Sequence, residues 1–104
     1  MVKIIKVLSE FHDIIAKNKY VIVDFFAEWC GPCKVIGPLF EKLSTENPDI
    51  VCLKVNVDEA QDICSEMKIS AMPTFMSFLN GKNINTLTGA SDVKLRALFT
   101  DVKK

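Results

Sequence analysis

The apolar positions of this chain alternate between two rhythms. Residues 20–27, YVIVDFFA, form an almost unbroken apolar run that only Asp24 interrupts. A run of that length, rich in Val, Ile and Phe, reads as a central strand covered on both faces and implies a parallel sheet. Segments 2–8 (VKIIKVL) and 50–57 (IVCLKVNV) read as further strands. Between the first two, Phe11, Ile14 and Ile15 share one face of a helix from Glu10 to about Asn18, with Ser9 placed to cap it. From Cys33 to about Glu46, residues Ile36, Leu39, Phe40 and Leu43 recur at helical spacing. Gly37-Pro38 is expected to kink that helix and Asn47-Pro48 to end it. Asp58, with Gln61 three residues later, resembles a capping box for a short helix reaching about Met67.

The last third changes character. In TFMSFLNGKNINTLTG, residues 74–89, Asn80-Gly81 stands between two strand-like runs, the strongest short-range hairpin signal, so antiparallel strands join the sheet here. Gly89 interrupts the second run, and Ser91 is placed to cap a terminal helix carrying Val93, Leu95, Leu98 and Phe99. The order β-α-β-α-β-α-β-β-α predicts an α/β fold, a central mixed five-stranded sheet flanked by four helices, in one domain spanning residues 1–104.

Composition narrows what such a fold can be for. A chain of 104 residues is long enough to bury roughly two-thirds of its unfolded surface, and 49% apolar with 25% charged residues is the balance of a soluble globular domain. Thirteen basic residues cancel thirteen acidic ones, and Lys103-Lys104 is the only adjacent basic pair, so nucleic acid is not an expected partner. No apolar run approaches the roughly 20 residues of a membrane helix. Near the start, Lys6 and Glu10 break the apolar run, so neither a signal peptide nor an anchor is expected. Four cysteines without an export signal point to a reducing compartment: cytoplasm, with the nucleus left open.

Candidate chemistry centres on Cys30-Gly31-Pro32-Cys33, directly after the central strand. Cys30 stands at the exposed start of the turn and at the start of a helix, where unpaired N–H groups and the helix dipole favour a thiolate. Gly31-Pro32 makes a tight turn that brings Cys33 within disulfide reach. The rival reading of such a pair is half a zinc site. The remaining ligand candidates, Cys52, Cys64 and His12, fall in a strand, a helix and a distant first helix, with no second pair at ligand spacing, so no metal is expected. A static structural disulfide fits a reducing compartment equally poorly. Trp29 reads as a partly exposed wall of the site. Pro73, at the start of a strand, requires an edge, a bulge or a cis bond.

Taken together, VDFFAEWCGPCK, Pro38, KVNVDE, MPTF, the Asn-Gly hairpin and TGA make the chain resemble the thioredoxin family over essentially its whole length. WCGPC after such a strand is highly specific, and MPTF about forty residues later makes an accidental match improbable. The resemblance implies a cis Met72-Pro73 bond against the disulfide, with the backbone beside it pairing with a substrate strand. It puts Trp29, Gly31, Pro32, Gly89 and Ala90 with Met72 and Pro73 on the surface that receives a target. It also places Asp24 beneath Cys33 with Lys54 close by. A carboxylate buried there has its pKa raised, as a proton acceptor near neutral pH requires, and Asp24 is expected to take the proton of Cys33.

Other residues read as bland. Cys52, between Val51 and Leu53, is expected to be buried and inert, Cys64 peripheral, His12 a solvated helix residue, and Met67 and Met76 packing residues. Glu28 adds a negative charge near the site, and Gly37 loosens the second helix. The expected function is protein-disulfide reduction: Cys30 attacks a target disulfide and Cys33 resolves the mixed disulfide. The resemblance implies no bound cofactor, regeneration by a flavin-dependent thioredoxin reductase that draws on NADPH, targets such as peroxiredoxins or ribonucleotide reductase, and a monomer. Two alternatives remain: a redox-gated binding module, and an oxidase or isomerase of the same fold, which Gly31-Pro32 and the missing export signal disfavour.

Overall fold

The strands β1 (Val2–Ile4), β2 (Tyr20–Phe26), β3 (Val51–Asn56), β4 (Thr74–Leu79) and β5 (Lys82–Thr88) form one sheet in the order β1-β3-β2-β4-β5. The structure is a computed structural model that describes residues 2–104. β1 and β2 both run parallel to β3, whereas β4 lies antiparallel to β2 and to β5, so the sheet is mixed as its pattern predicts. The helices are α1 (Leu8–Lys17), α2 (Gly31–Glu46), α3 (Gln61–Met67) and α4 (Asp92–Asp101).

Period-two alternation along β2 divides the core in two. Val21, Val23 and Phe25 pack with Phe11 and Ile15 of α1 and Ile63 of α3. Ile22 packs on the other side with Ile36, Phe40 and Leu43 of α2 and Leu95, Leu98 and Phe99 of α4. Each fully buried aliphatic or phenylalanine side chain contributes about 1.5–3 kcal/mol, so β2 holds both helix layers to the sheet. By the same alternation Asp24 shares a face with Ile22, toward α2. It therefore lies near the carboxyl end of the central strand, the end at which α/β sheets place their sites.

The hairpin follows its sequence signal. Asn80 and Gly81 adopt φ of 51° and 84°, both in the left-handed region that a two-residue type I′ turn requires. Elsewhere the boundaries move. β1 stops at Ile4 because Ile5 turns into the core, and α1 starts at Leu8 with Val7 as N-cap, which leaves Ser9 inside the helix rather than capping it. α2 begins at Gly31 and runs through Pro38 to Glu46. The Asp58–Gln61 capping box does not form: the carboxylate of Asp58 accepts from the Trp29 indole, and the N-cap of α3 is Ala60, whose methyl cannot cap. Ser91 does cap α4, accepting from the Lys94 N–H at 3.2 Å, but Val93 points to solvent while Leu95, Leu98 and Phe99 face the core.

Candidate active site

The strand-to-helix turn after β2 sets the site. The Cys30 N–H donates to the Ala27 carbonyl at 3.2 Å, closing the turn, and Cys30 becomes the N-cap of α2. Its sulfur takes the place of the usual capping oxygen, accepting the Cys33 N–H at 3.2 Å. A hydrogen bond to sulfur at the positive end of a 16-residue helix favours negative charge on that atom. Gly31 and Pro32 fill the first turn and are exposed. Cys30 and Cys33 are joined in a disulfide with their Cα atoms 5.3 Å apart. The two are equally buried, 5% and 6% exposed, so the expectation that Cys30 is the more exposed fails. Their surroundings differ instead.

Cys30 Sγ lies 3.6 Å from the Met72 carbonyl oxygen. The Met72-Pro73 bond is cis, and the Gly89 N–H donates to the Pro73 carbonyl at 2.9 Å, so the turn at Gly89, with φ of 100°, is tied to this loop. Ala27, Cys30 and Cys33 form a small apolar cluster against which Phe26, Val57 and Met72 pack. Trp29 is 68% exposed, and its indole Nε1–H donates to Asp58 Oδ2 at 3.0 Å. Trp29 and Met72 wall one side of a groove that also contains Asp58, Gln61, Cys64 and Ile69. Ala90 is exposed on the other flank, beside Val35, Leu39 and Asp92.

Cys33 faces a cavity of about 550 Å³ whose walls include Asp24, Glu28, Lys34, Gly37, Glu41 and Lys54. Asp24 is 2% exposed and its Oδ1 has no hydrogen-bond partner. Burial pushes its carboxyl up to about 7, against the pull of the Lys54 charge and with a smaller push from Glu41. Lys54 is the neighbour of Asp24 across β2 and β3, yet its ammonium sits over the Phe26 ring, 4.7 Å from the centroid, and makes no ion pair with Asp24. A carboxyl that titrates near neutral pH beside a thiol can exchange a proton with it under ordinary conditions.

Two further residues shape the site, and only one of them escapes a reading by periodicity. Asp58 lies 29 residues from Trp29, and nothing local in the sequence joins them. Glu41 was legible: with Lys34, Gly37 and Pro38 it keeps i, i+3, i+4, i+7 spacing on the helix face that lines the cavity. The other two thiols are free and both are raised above the ordinary cysteine value. Cys52 is buried and pushed up to about 12 by desolvation, and Cys64 is half-buried and also raised, by desolvation and then by Asp62 and Asp58.

The Thioredoxin family profile matches residues 2–103. The chain belongs to the thioredoxin family. Thioredoxin 1 of Plasmodium falciparum is 48% identical over 99 residues, covering 95% of each chain. A crystal structure of Malassezia sympodialis thioredoxin superposes with a TM-score of 0.93 at 43% identity, covering 99% of this chain and 94% of that one. A structure concerning the thiol-resolving mechanism of yeast mitochondrial 1-Cys peroxiredoxin via glutathione and thioredoxin systems gives a TM-score of 0.93 at 36% identity, covering 96% and 94%. Members of the family are thiol–disulfide oxidoreductases that need no bound cofactor, and this chain is a protein-disulfide reductase with a redox-active CxxC pair.

Proposed function

We propose that Cys30 is the attacking thiolate, Cys33 the resolving thiol and Asp24 the acceptor of the Cys33 proton. In the first step the Cys30 thiolate attacks one sulfur of a target disulfide, forms a mixed disulfide and expels the other target sulfur as a thiolate. In the second, Cys33 passes its proton to Asp24 and its thiolate attacks Cys30 Sγ. The Cys30–Cys33 bond forms, the Cys30–target bond breaks, and the second target thiolate leaves and takes up a proton. The protein is oxidised by two electrons and the target reduced by two. The observation that carries this division of labour is the split environment: the Cys30 sulfur caps α2, while Cys33 alone of the pair lines the cavity that holds the unpartnered carboxyl of Asp24.

Trp29, Gly31, Pro32, Met72, Pro73, Gly89 and Ala90 suit a target chain laid along the Met72-Pro73 backbone: Met72 packs on the cysteine pair, Gly89 is tied to Pro73, and Trp29, Gly31, Pro32 and Ala90 are exposed. We assign regeneration to a flavin-dependent thioredoxin reductase using NADPH, and peroxiredoxins or ribonucleotide reductase to the target class. The peroxiredoxin subject of one structural neighbour supports the first of these targets. We place this chain as a monomer in the cytoplasm or nucleus, in keeping with thiols that must stay reducible. Trapping in cell extract tests the roles. Cys33→Ser should accumulate mixed disulfides with targets by more than tenfold over Cys30→Ser; equal trapping by the two variants contradicts the assignment.

A further inference from the structure

The cavity beside Cys33 has a wall that the exchange steps leave unused. Lys34, Gly37, Pro38 and Glu41 present one face of α2 to it, with charge at both ends and short side chains between. A Cβ on Gly37 would meet nothing within 4 Å, so the middle of this wall is open space. Asp24 and Phe26 of β2, Ala27 and Glu28 of the following turn, and Lys54 of β3 face the helix from the other side. Phe75, the β4 neighbour of Asp24, adds no charge. The charged groups around the cavity are therefore Asp24, Glu28, Lys34, Glu41 and Lys54. None of them forms an ion pair with another described residue, whereas Lys42, next to Glu41 on the same helix, pairs with Glu46 at 4.0 Å. Unpaired charges spaced around an open cavity act on one another through the field, and a partly desolvated cavity screens that field less than bulk water.

We propose that Glu41 is a positioning residue for the redox reaction: from the α2 wall its carboxylate opposes the Lys54 ammonium and so sets how readily Asp24 accepts and releases the proton of Cys33. The inference rests on Asp24 being that acceptor. Lys54 lies on the neighbouring strand and favours the Asp24 carboxylate; Glu41 favours the protonated acid. Glu28 and Lys34, of opposite sign, line the same cavity. Gly37 leaves open space on the helix face between Lys34 and Glu41, and Glu41 and Asp24 line the same cavity.

The test is an NMR titration of the carbon-13-labelled Asp24 carboxyl in the oxidised protein, paired with the pH profile of mixed-disulfide release. Glu41→Gln should lower the Asp24 midpoint and Lys54→Met should raise it, each by roughly 0.3–0.8 pH unit, as expected for one charge across a partly wet cavity. Glu41→Asp should restore most of the loss, and Glu46→Gln, which removes the same charge elsewhere on α2, should leave the midpoint in place. The release profiles should follow the shifted midpoints. A midpoint unmoved by Glu41→Gln, or moved equally by Glu46→Gln, overturns the role of Glu41 alone. Release profiles that ignore a shifted Asp24 midpoint overturn the Asp24 assignment and this one with it.

Discussion

Cys30 and Cys33 are three residues apart in one helical turn and equally buried, yet their surroundings are opposite. The Cys30 sulfur accepts an N–H at the end of a helix and faces the Met72 carbonyl and the indole-walled outer surface. Cys33 faces inward, onto a cavity with an acid that burial keeps protonated until about pH 7. Exposure therefore does not divide the roles of this dithiol. In the proposed exchange a helix end readies one sulfur to attack, and a buried carboxyl sets when the other can follow. Cys52, packed in the core with Ile22 and Phe40, supplies a third environment: desolvation is the main cause that pushes its thiol up to about 12.

The comparison breaks most visibly if the inward side loses its acid. Asp24 binds its proton more tightly in the folded protein, at about 7 against 3.8, so its ionisation works against the fold. Below pH 3.8 this costs nothing; between 3.8 and about 7 stability falls as pH rises, and above that it levels off. The full cost is on the order of 4 kcal/mol. Asp24→Asn should therefore stabilise the oxidised protein at pH 8 by a few kcal/mol and much less at pH 4, read as urea midpoints at the two values. A lower midpoint at pH 8 would mean that Asp24 is a structural partner.

The outward side is sharpened by Asp58→Ala, which frees the Trp29 indole. A hydrogen bond this exposed is worth about 0.5–1 kcal/mol, so KM for insulin disulfides should rise two- to fivefold with kcat little changed. A fall in kcat at unchanged KM would remove Trp29 from target binding. The smallest effect is expected at Gly37, where an added methyl meets nothing within 4 Å and φ is not positive. Gly37→Ala should raise stability by about 0.5–1 kcal/mol through helix propensity, a shift of several degrees in the thermal midpoint. A drop in that midpoint would show that the cavity wall is tighter than its geometry states.

Much of this was legible in sequence because it is local. The apolar run of β2, the Asn80-Gly81 turn, the Ser91 cap and the CGPC turn each carry their own physical signal within a few residues. The cis bond at Pro73 and the place of Asp24 beneath Cys33 came from the family resemblance, since spacing alone left both open. What sequence misassigned depended on distant partners. Asp58 has the spacing of a helix cap, but the Asn56 side chain accepts its N–H at 2.9 Å and its carboxylate goes to Trp29. Val93 fits a helical stripe, yet α4 buries only the side bearing Leu95, Leu98 and Phe99. Equal burial of the two active cysteines could not be foreseen either, because Met72 and Ala27 cover Cys30 from elements outside the helix.

The central claim, that Cys33 gives its proton to Asp24, is tested most directly by the rate at which a preformed mixed disulfide on Cys30 is released between pH 5 and pH 9. The protonated acid cannot accept, so the rate in the parent protein should climb with pH through an inflection near the Asp24 midpoint of about 7. Asp24→Asn should lose that inflection and release its target at least tenfold more slowly at neutral pH, within the range of a lost general base. An unchanged rate with the same inflection in Asp24→Asn would contradict the account and leave Cys33 to lose its proton directly to solvent.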